Sequence, residues 1–256
     1  MRASSLLILP FLAVLASFSP VRADEKAQST NTAIIPVGKL EKDFYEWDQR
    51  HAAVMAVKDQ LKPEVVLIGD SITHFWGGQP NEPKGNRGAQ AWKDLFGDRP
   101  VLNLGFGWDR TQNVLKRIEL GELDGLAPKA VVIHIGTNNL AGTKNARENT
   151  PDEIVEGIAL IVQRVQEKCP AAKVIVMAVF PRGEKPDNTR RVQVNAINER
   201  LAKKMEGTKG VTYLDITAKL TNPDGTISKE MMPDFLHPGA KGYAIWAEAL
   251  NPVLPK

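Results

Sequence analysis

The chain has 256 residues, 43% of them hydrophobic and 25% charged, with a formal net charge of +3. That balance excludes an intrinsically disordered chain, and 20 glycines with 17 prolines exclude a collagenous or proline-rich fibre. A single cysteine, Cys169, excludes an intramolecular disulfide and any metal site built on several thiolates.

Residues 1–23 have the three-part layout of a secretory signal peptide. Arg2 precedes the apolar run Leu6–Phe18, and Val21-Arg22-Ala23 supplies a small-x-small cleavage site. The run is interrupted by Pro10 and is short for a bilayer span. Cleavage would leave 233 residues at a formal charge of +1, because Arg2 and Arg22 depart without any acid. So neutral a chain has no electrostatic reason to seek nucleic acid or anionic lipid. The expected destination is secreted or periplasmic, with no stable membrane insertion after cleavage.

Residues 24–40 read as a flexible leader and 41–256 as one domain. From Glu41 to Leu61 the positions of Phe44, Trp47, Val54, Val57 and Leu61 suit one face of a helix that Pro63 ends. Five short β-branched runs follow, at Val65–Ile68, Val101–Leu104, Val131–Ile135, Val174–Val179 and Val211–Leu214. Their few polar interruptions suit strands buried on both faces. Helical stretches lie at Thr111–Leu120, Thr150–Cys169, Arg190–Met205 and Gly239–Leu250. The clearest start is Thr150-Pro151-Asp152-Glu153, with an N-cap, a proline in the first turn and a capping-box glutamate. This alternation predicts a three-layer α/β/α fold on a five-stranded parallel sheet, flavodoxin-like in architecture. Ligands in such sheets bind beyond the carboxyl ends of the strands.

Three segments lie at those ends and a fourth stands before the last helix. They are Gly69-Asp70-Ser71-Ile72-Thr73, Asn103 to Asp109, Gly136-Thr137-Asn138-Asn139, and Asp234-Phe235-Leu236-His237. Each alone is ordinary turn or cap chemistry. Converging on one edge, they supply a nucleophile, a base, an acid to orient the base, and amide donors, the parts that acyl transfer requires.

In these four blocks the chain resembles the SGNH (GDSL-type) hydrolases. Within them it is similar to the catalytic subunits of platelet-activating-factor acetylhydrolase type Ib. That similarity extends to Phe180-Pro181-Arg182-Gly183-Glu184-Lys185-Pro186 and Asp224-Gly225-Thr226-Ile227-Ser228, and covers roughly Pro63 to Leu250. The resemblance implies Ser71 as nucleophile, His237 as general base and Asp234 as its orienting acid. It implies an oxyanion hole of the Asn138 side chain and the backbone N–H groups of Ser71 and Trp108. Trp108 stands where the family has glycine, so the amide is kept while glycine's conformational freedom is lost. Asp70, Gly105, Gly107 and Arg182 are expected at the substrate, the glycines as turn-formers and Arg182 either there or in a salt bridge closing its loop. The resembling subunits form dimers, so a homodimer is an expectation. No cofactor is implied, and the four histidines show no metal-ligand spacing.

The remaining residues have plainer readings. Cys169 reads as a packed thiol, His134 as core, and His51 as packed beside Trp47. His74 lines the pocket or lies on a helix surface. Asp109 and Arg110 read as a bracing pair. Trp76, Trp92, Phe106 and Trp108 offer an aromatic platform for a sugar ring, Trp92 more as packing.

The sequence therefore predicts a secreted serine esterase acting on small O-acyl esters, acetyl esters of carbohydrates first. Phospholipid esters (as an acetylhydrolase or lysophospholipase) are the alternative. A non-catalytic carbohydrate-binding module and a flavodoxin-like cofactor binder are the readings from other classes. Asp70, placed where the latter would need a phosphate cradle, counts against a cofactor binder.

Overall fold

All five β-branched runs form strands of one sheet. The computed structural model describes residues 30–80 and 86–256, so the expected signal peptide lies outside the described residues. The strands are β1 (Val65–Gly69), β2 (Val101–Gly105), β3 (Ala130–His134), β4 (Lys173–Met177) and β5 (Val211–Leu214). They pair in parallel throughout, in the order β2-β1-β3-β4-β5.

The period-2 alternation of a strand sorts their side chains to two faces. Val66, Ile68, Val131, Ile133, Val174 and Val176 enter one core cluster, and Val65, Leu67, Val132, Ile175 and Met177 the other. The first cluster is covered by α1 (Trp47–Leu61), α4 (Thr111–Glu119), α5 (Pro151–Lys168) and α6 (Thr189–Met205). The second is covered by α2 (Ser71–His74), α3 (Ala89–Phe96) and α7 (Ala240–Leu250). This is the expected three-layer α/β/α fold. Its strand order reverses between β1 and β3, which opens a crevice at their carboxyl ends.

The start of α5 follows its sequence signature. Thr150 accepts from the Glu153 N–H, and Glu153 accepts from the Thr150 N–H at 2.9 Å. Cys169 is buried at the end of this helix, as expected of a packed thiol.

Two expectations are corrected at the amino-terminal side. Helix α1 begins at Trp47 rather than Glu41, and the chain before it runs across the strand ends. The leader is held from Asn31 onward. Ala33 is buried and accepts a 2.8 Å hydrogen bond from Thr111 Oγ1; Val37 N donates to the Gln112 carbonyl. Asn31 Nδ2 donates to Glu156 Oε2 at 2.7 Å, and Asn113 Nδ2 donates to the Gly38 carbonyl. Composition makes this stretch look free, but α4 and α5 satisfy its backbone groups, which no local pattern announces.

Beneath the sheet edge lies a buried ionic network. Arg117 Nε donates to Asp109 Oδ2 at 2.8 Å and its Nη1 to Glu122 Oε2 at 2.6 Å. Trp47 Nε1 completes the Asp109 carboxylate at 2.9 Å, and His51 Nδ1 lies 2.8 Å from Glu122 Oε1. The guanidinium stacks on Phe106, 4.1 Å from the ring centroid. Breaking one member of such a network strands an uncompensated charge, which typically costs about 3–5 kcal/mol. Arg117→Ala should therefore lower unfolding free energy by about that amount in urea denaturation. Lys203→Ala, which breaks an exposed pair with Glu199, should change it by less than about 1 kcal/mol.

Candidate active site

The crevice collects the ends of three strands and one loop. Ser71 opens α2 directly after β1, and its backbone is set by Asp70, whose Oδ1 caps the helix by accepting from Ile72 N at 2.9 Å. Helix α2 sits hard against the strands because Gly69 and Gly105 carry no side chain. A Cβ on Gly105 would stand 2.2 Å from the His74 nitrogen, and one on Gly69 2.4 Å from the His134 carbonyl oxygen. Asn103 ties the same turn down by donating to the carbonyls of Thr73 (2.9 Å) and Gly77 (2.6 Å).

Across the crevice, His237 brings its Nε2 to 2.9 Å from Ser71 Oγ, and its Nδ1 lies 2.7 Å from Asp234 Oδ2. A neutral ring protonated on Nδ1 donates to Asp234 and leaves Nε2 to accept from the serine. Asp234 Oδ1 accepts from the backbone N–H of His237 (2.8 Å) and of Leu236 (3.1 Å), so the loop holds its own carboxylate. Phe235 adopts φ 58° between them, a left-handed residue that lets acid and base, three apart in sequence, face each other.

Burial pushes the His237 imidazole below its ordinary 6.5, against the opposing pull of Asp234, and the charges of Arg87 and Arg182 push the same way. Asp234 is also burdened by burial, but the hydrogen bonds and charge of His237 outweigh it and hold the carboxyl below its ordinary value. The base is thus unprotonated at neutrality and its partner ionised, the states in which a serine proton can be accepted.

Asn138, after β3, gives one amide hydrogen to the Asp109 carbonyl at 3.0 Å. An amide carries two, so one remains available to a second acceptor. Trp108 holds φ 63°, the left-handed conformation that glycine adopts freely, and the residue is 44% exposed. Arg182 donates from Nη1 to the carbonyl and hydroxyl of Thr137, both at 3.1 Å. Arg191 in turn holds the carbonyls of Arg182, Gly183 and Gly225, joining the two outlying motifs.

The family model for GDSL-like lipases and acylhydrolases matches residues 67–245. The chain is 35% identical over 231 residues to platelet-activating factor acetylhydrolase IB subunit alpha1 of Bos taurus, covering 90% of each chain. It is 35% identical to the alpha2 subunit of Rattus norvegicus over 228 residues, 88% of this chain and 91% of that one. Among solved structures, a GDSL-like lipase from Bacteroides thetaiotaomicron superposes with a TM-score of 0.62 at 19% identity, over 79% of this chain and 97% of that one. The chain belongs to the GDSL-like lipase/acylhydrolase family. It is a carboxylic ester hydrolase.

Within this acylhydrolase several expected contacts fall elsewhere. Gly105 and Gly107 serve close packing rather than substrate contact: the N–H of Gly105 is taken by Asn103 Oδ1 and that of Gly107 by Tyr45 Oη. Asp70 is fully buried as the helix cap, out of a substrate's reach. Asp109 pairs with Arg117, not Arg110, whose guanidinium donates instead to the carbonyls of Arg147 and Ala141. Arg182 forms no salt bridge with a described residue and fixes Thr137 instead. Trp76 and Phe106 are fully buried, so of the proposed platform Trp108 alone is exposed. His134 is core, against Phe180 and Trp246.

The segment missed by sequence reasoning is Asp43-Phe44-Tyr45. It crosses the crevice, Tyr45 packing edge-on against His74 at 5.1 Å and Phe44 stacking on the same ring at 6.0 Å. His74 is therefore neither a surface nor an open pocket residue, and burial pushes its imidazole down to about 2. Read as helix in the sequence, the segment carries no local mark of this role.

Asp70 also makes stability depend on pH. Burial, reinforced by the Asp109 charge, pushes its carboxyl up to about 7 from 3.8. Between those values the folded chain holds a proton that the unfolded chain has released, so this group's contribution to stability falls as pH rises. Asp70→Asn keeps the cap and removes the titration. Its melting temperature relative to wild type should rise between pH 5 and pH 8; a constant difference would contradict this account.

Proposed function

We propose that this acylhydrolase is an exported serine esterase that removes small O-acyl groups, acetyl above all, with acetylated carbohydrates as its favoured substrates. The observation that carries the reading is the continuous chain from Ser71 Oγ through His237 to Asp234, at 2.9 and 2.7 Å.

In this mechanism Ser71 Oγ attacks the ester carbonyl as its proton passes to His237 Nε2. The tetrahedral oxyanion is held by Asn138 Nδ2 and the backbone N–H groups of Ser71 and Trp108. His237 then returns the proton to the departing alcohol, leaving an acyl-serine. Water attacks that ester with His237 again as base, and acid is released as Ser71 regains its proton. Asp234 fixes the tautomer and stabilises the imidazolium. No step calls for a cofactor.

The names of the mammalian relatives support the acetyl preference. The signal-like residues 1–23 and the exposed Trp108 support a carbohydrate substrate met outside the cell. Identity of 35% to platelet-activating-factor acetylhydrolase subunits favours a second reading, a phospholipid acetyl ester. A non-catalytic binding module would have no use for the serine–histidine contact.

The direct test uses p-nitrophenyl esters from acetate to octanoate. We expect kcat/KM to fall steeply with chain length and Ser71→Ala to lose on the order of 10⁴-fold or more. Retained turnover in that variant would refute the serine mechanism. Asn138→Ala should lose on the order of 10²–10³ in kcat with the fold intact by circular dichroism. Because His237 must be unprotonated and is pushed below 6.5, the acid limb of kcat/KM should have its midpoint below pH 6.5. A midpoint above that value would contradict the burial argument.

A further inference from the structure

The carboxylate of Asp43 lies against the second catalytic block and takes part in none of the steps above. A Cβ built on Gly107 would stand 1.4 Å from Asp43 Oδ2, so this oxygen rests directly on the Gly107 α-carbon, one residue before Trp108. Tyr45 Oη holds the Gly107 N–H at 2.6 Å and so fixes the segment over this spot. Asp43 Oδ1 accepts from Phe44 N at 2.7 Å. Oδ2 accepts no hydrogen bond from a described residue, and Asp43 forms no salt bridge with one. The side chain is half-buried.

A half-buried carboxylate with one oxygen satisfied and the other without a donor is an acceptor waiting for a hydroxyl. Burial raises the Asp43 carboxyl above its ordinary value, against the opposing pull of the Phe44 N–H hydrogen bond and of the His237 and Arg50 charges. Trp108, next in sequence to the Gly107 that Asp43 touches, is exposed and presents the flat apolar surface that a pyranose ring's C–H face covers well. An apolar acyl chain would gain nothing from Asp43, whereas a polyol gains a charge-assisted hydrogen bond.

We propose that Asp43 is a specificity-determining residue that accepts a hydrogen bond from a free hydroxyl of the alcohol part of the ester, selecting partly acetylated sugars, with the ring seated beside Trp108. This rests on the carbohydrate reading of the function and names the feature recognised: an unacetylated hydroxyl close to the ester.

The test compares three substrates on the full-length chain: methyl 3-O-acetylglucopyranoside, the fully acetylated methyl glucopyranoside, and p-nitrophenyl acetate. Only the first combines the ester with free neighbouring hydroxyls. Asp43→Ala should lower kcat/KM on the mono-acetyl glycoside by about 10-fold or more relative to the other two, the size expected for a hydrogen bond to a charged group. Asp43→Asn keeps an oxygen for the Phe44 N–H but puts an NH2 donor where Oδ2 accepts, so its loss on that substrate should approach that of Asp43→Ala. It also serves as the folded variant should the alanine change destabilise the segment. Equal losses on all three substrates would mean a merely structural role and overturn the inference, as would unchanged selectivity. Wild-type turnover of p-nitrophenyl acetate with none of either glycoside would overturn the carbohydrate reading together with it. Turnover of the mono-acetyl glycoside without an Asp43 effect would overturn this inference alone.

Discussion

Asp109 is the residue on which the geometry of the crevice depends. Its carboxylate is buried between Trp47 and Arg117, and its backbone carbonyl receives the amide of Asn138. Through the side chain it anchors the second block to α1 and α4; through the main chain it positions the third. Arg117, its partner, lies close to the Gly69 carbonyl at the end of β1, so all three strand ends meet at one ionic pair. Burial pushes the Asp109 carboxyl up to about 6, against the pull of Arg117 and the Trp47 hydrogen bond. A buried pair of this kind is weak evidence for stability, because hydrophobic replacement of both partners is often neutral or better. Its use here is registration: it fixes the second and third blocks relative to each other at the end of β1.

The same economy appears in the loop that carries Asp234 and His237. Asp234 and His237 sit three residues apart and face each other through the left-handed turn at Phe235, with Asp234 also accepting two backbone N–H groups. The dyad therefore arrives preassembled and needs only to be docked on Ser71. Docking is set from the other side by Tyr243, whose hydroxyl donates to the Ile72 carbonyl at 2.7 Å and ties α7 to α2. The segment before α1 then crosses the crevice and makes its wall from Asp43, Phe44 and Tyr45.

Much of this was legible in the sequence, for definite reasons. The strands announce themselves because a parallel sheet covered on both faces demands uninterrupted β-branched runs, and α5 because its capping box is written in four adjacent residues. The three blocks at strand ends, Ser71 among them, follow from where ligands bind in such sheets, while the loop carrying Asp234 and His237 is identified through the family resemblance. What stayed hidden depends on long-range contacts. Nothing local distinguishes Arg117 from Arg110 as the partner of Asp109; the choice is made by the path of α4. Asp43 and Tyr45 read as the start of a helix, and only the packing against Gly107 and His74 shows that they are not. Phe106 and Trp76 read as candidates for a sugar platform because burial cannot be counted from residue type. Gly107 looked like a substrate contact for the opposite reason, since its missing side chain makes room for Asp43 instead.

The account stands on Ser71 being a nucleophile activated by His237. The most direct measurement is intact-protein mass spectrometry after treatment with an alkyl fluorophosphonate, which reacts covalently with an activated serine. A single adduct located on the peptide containing Ser71, slowed strongly in His237→Ala and absent from Ser71→Ala, is the predicted result. Modification of another residue, or ester turnover persisting after Ser71 is fully labelled, would contradict it.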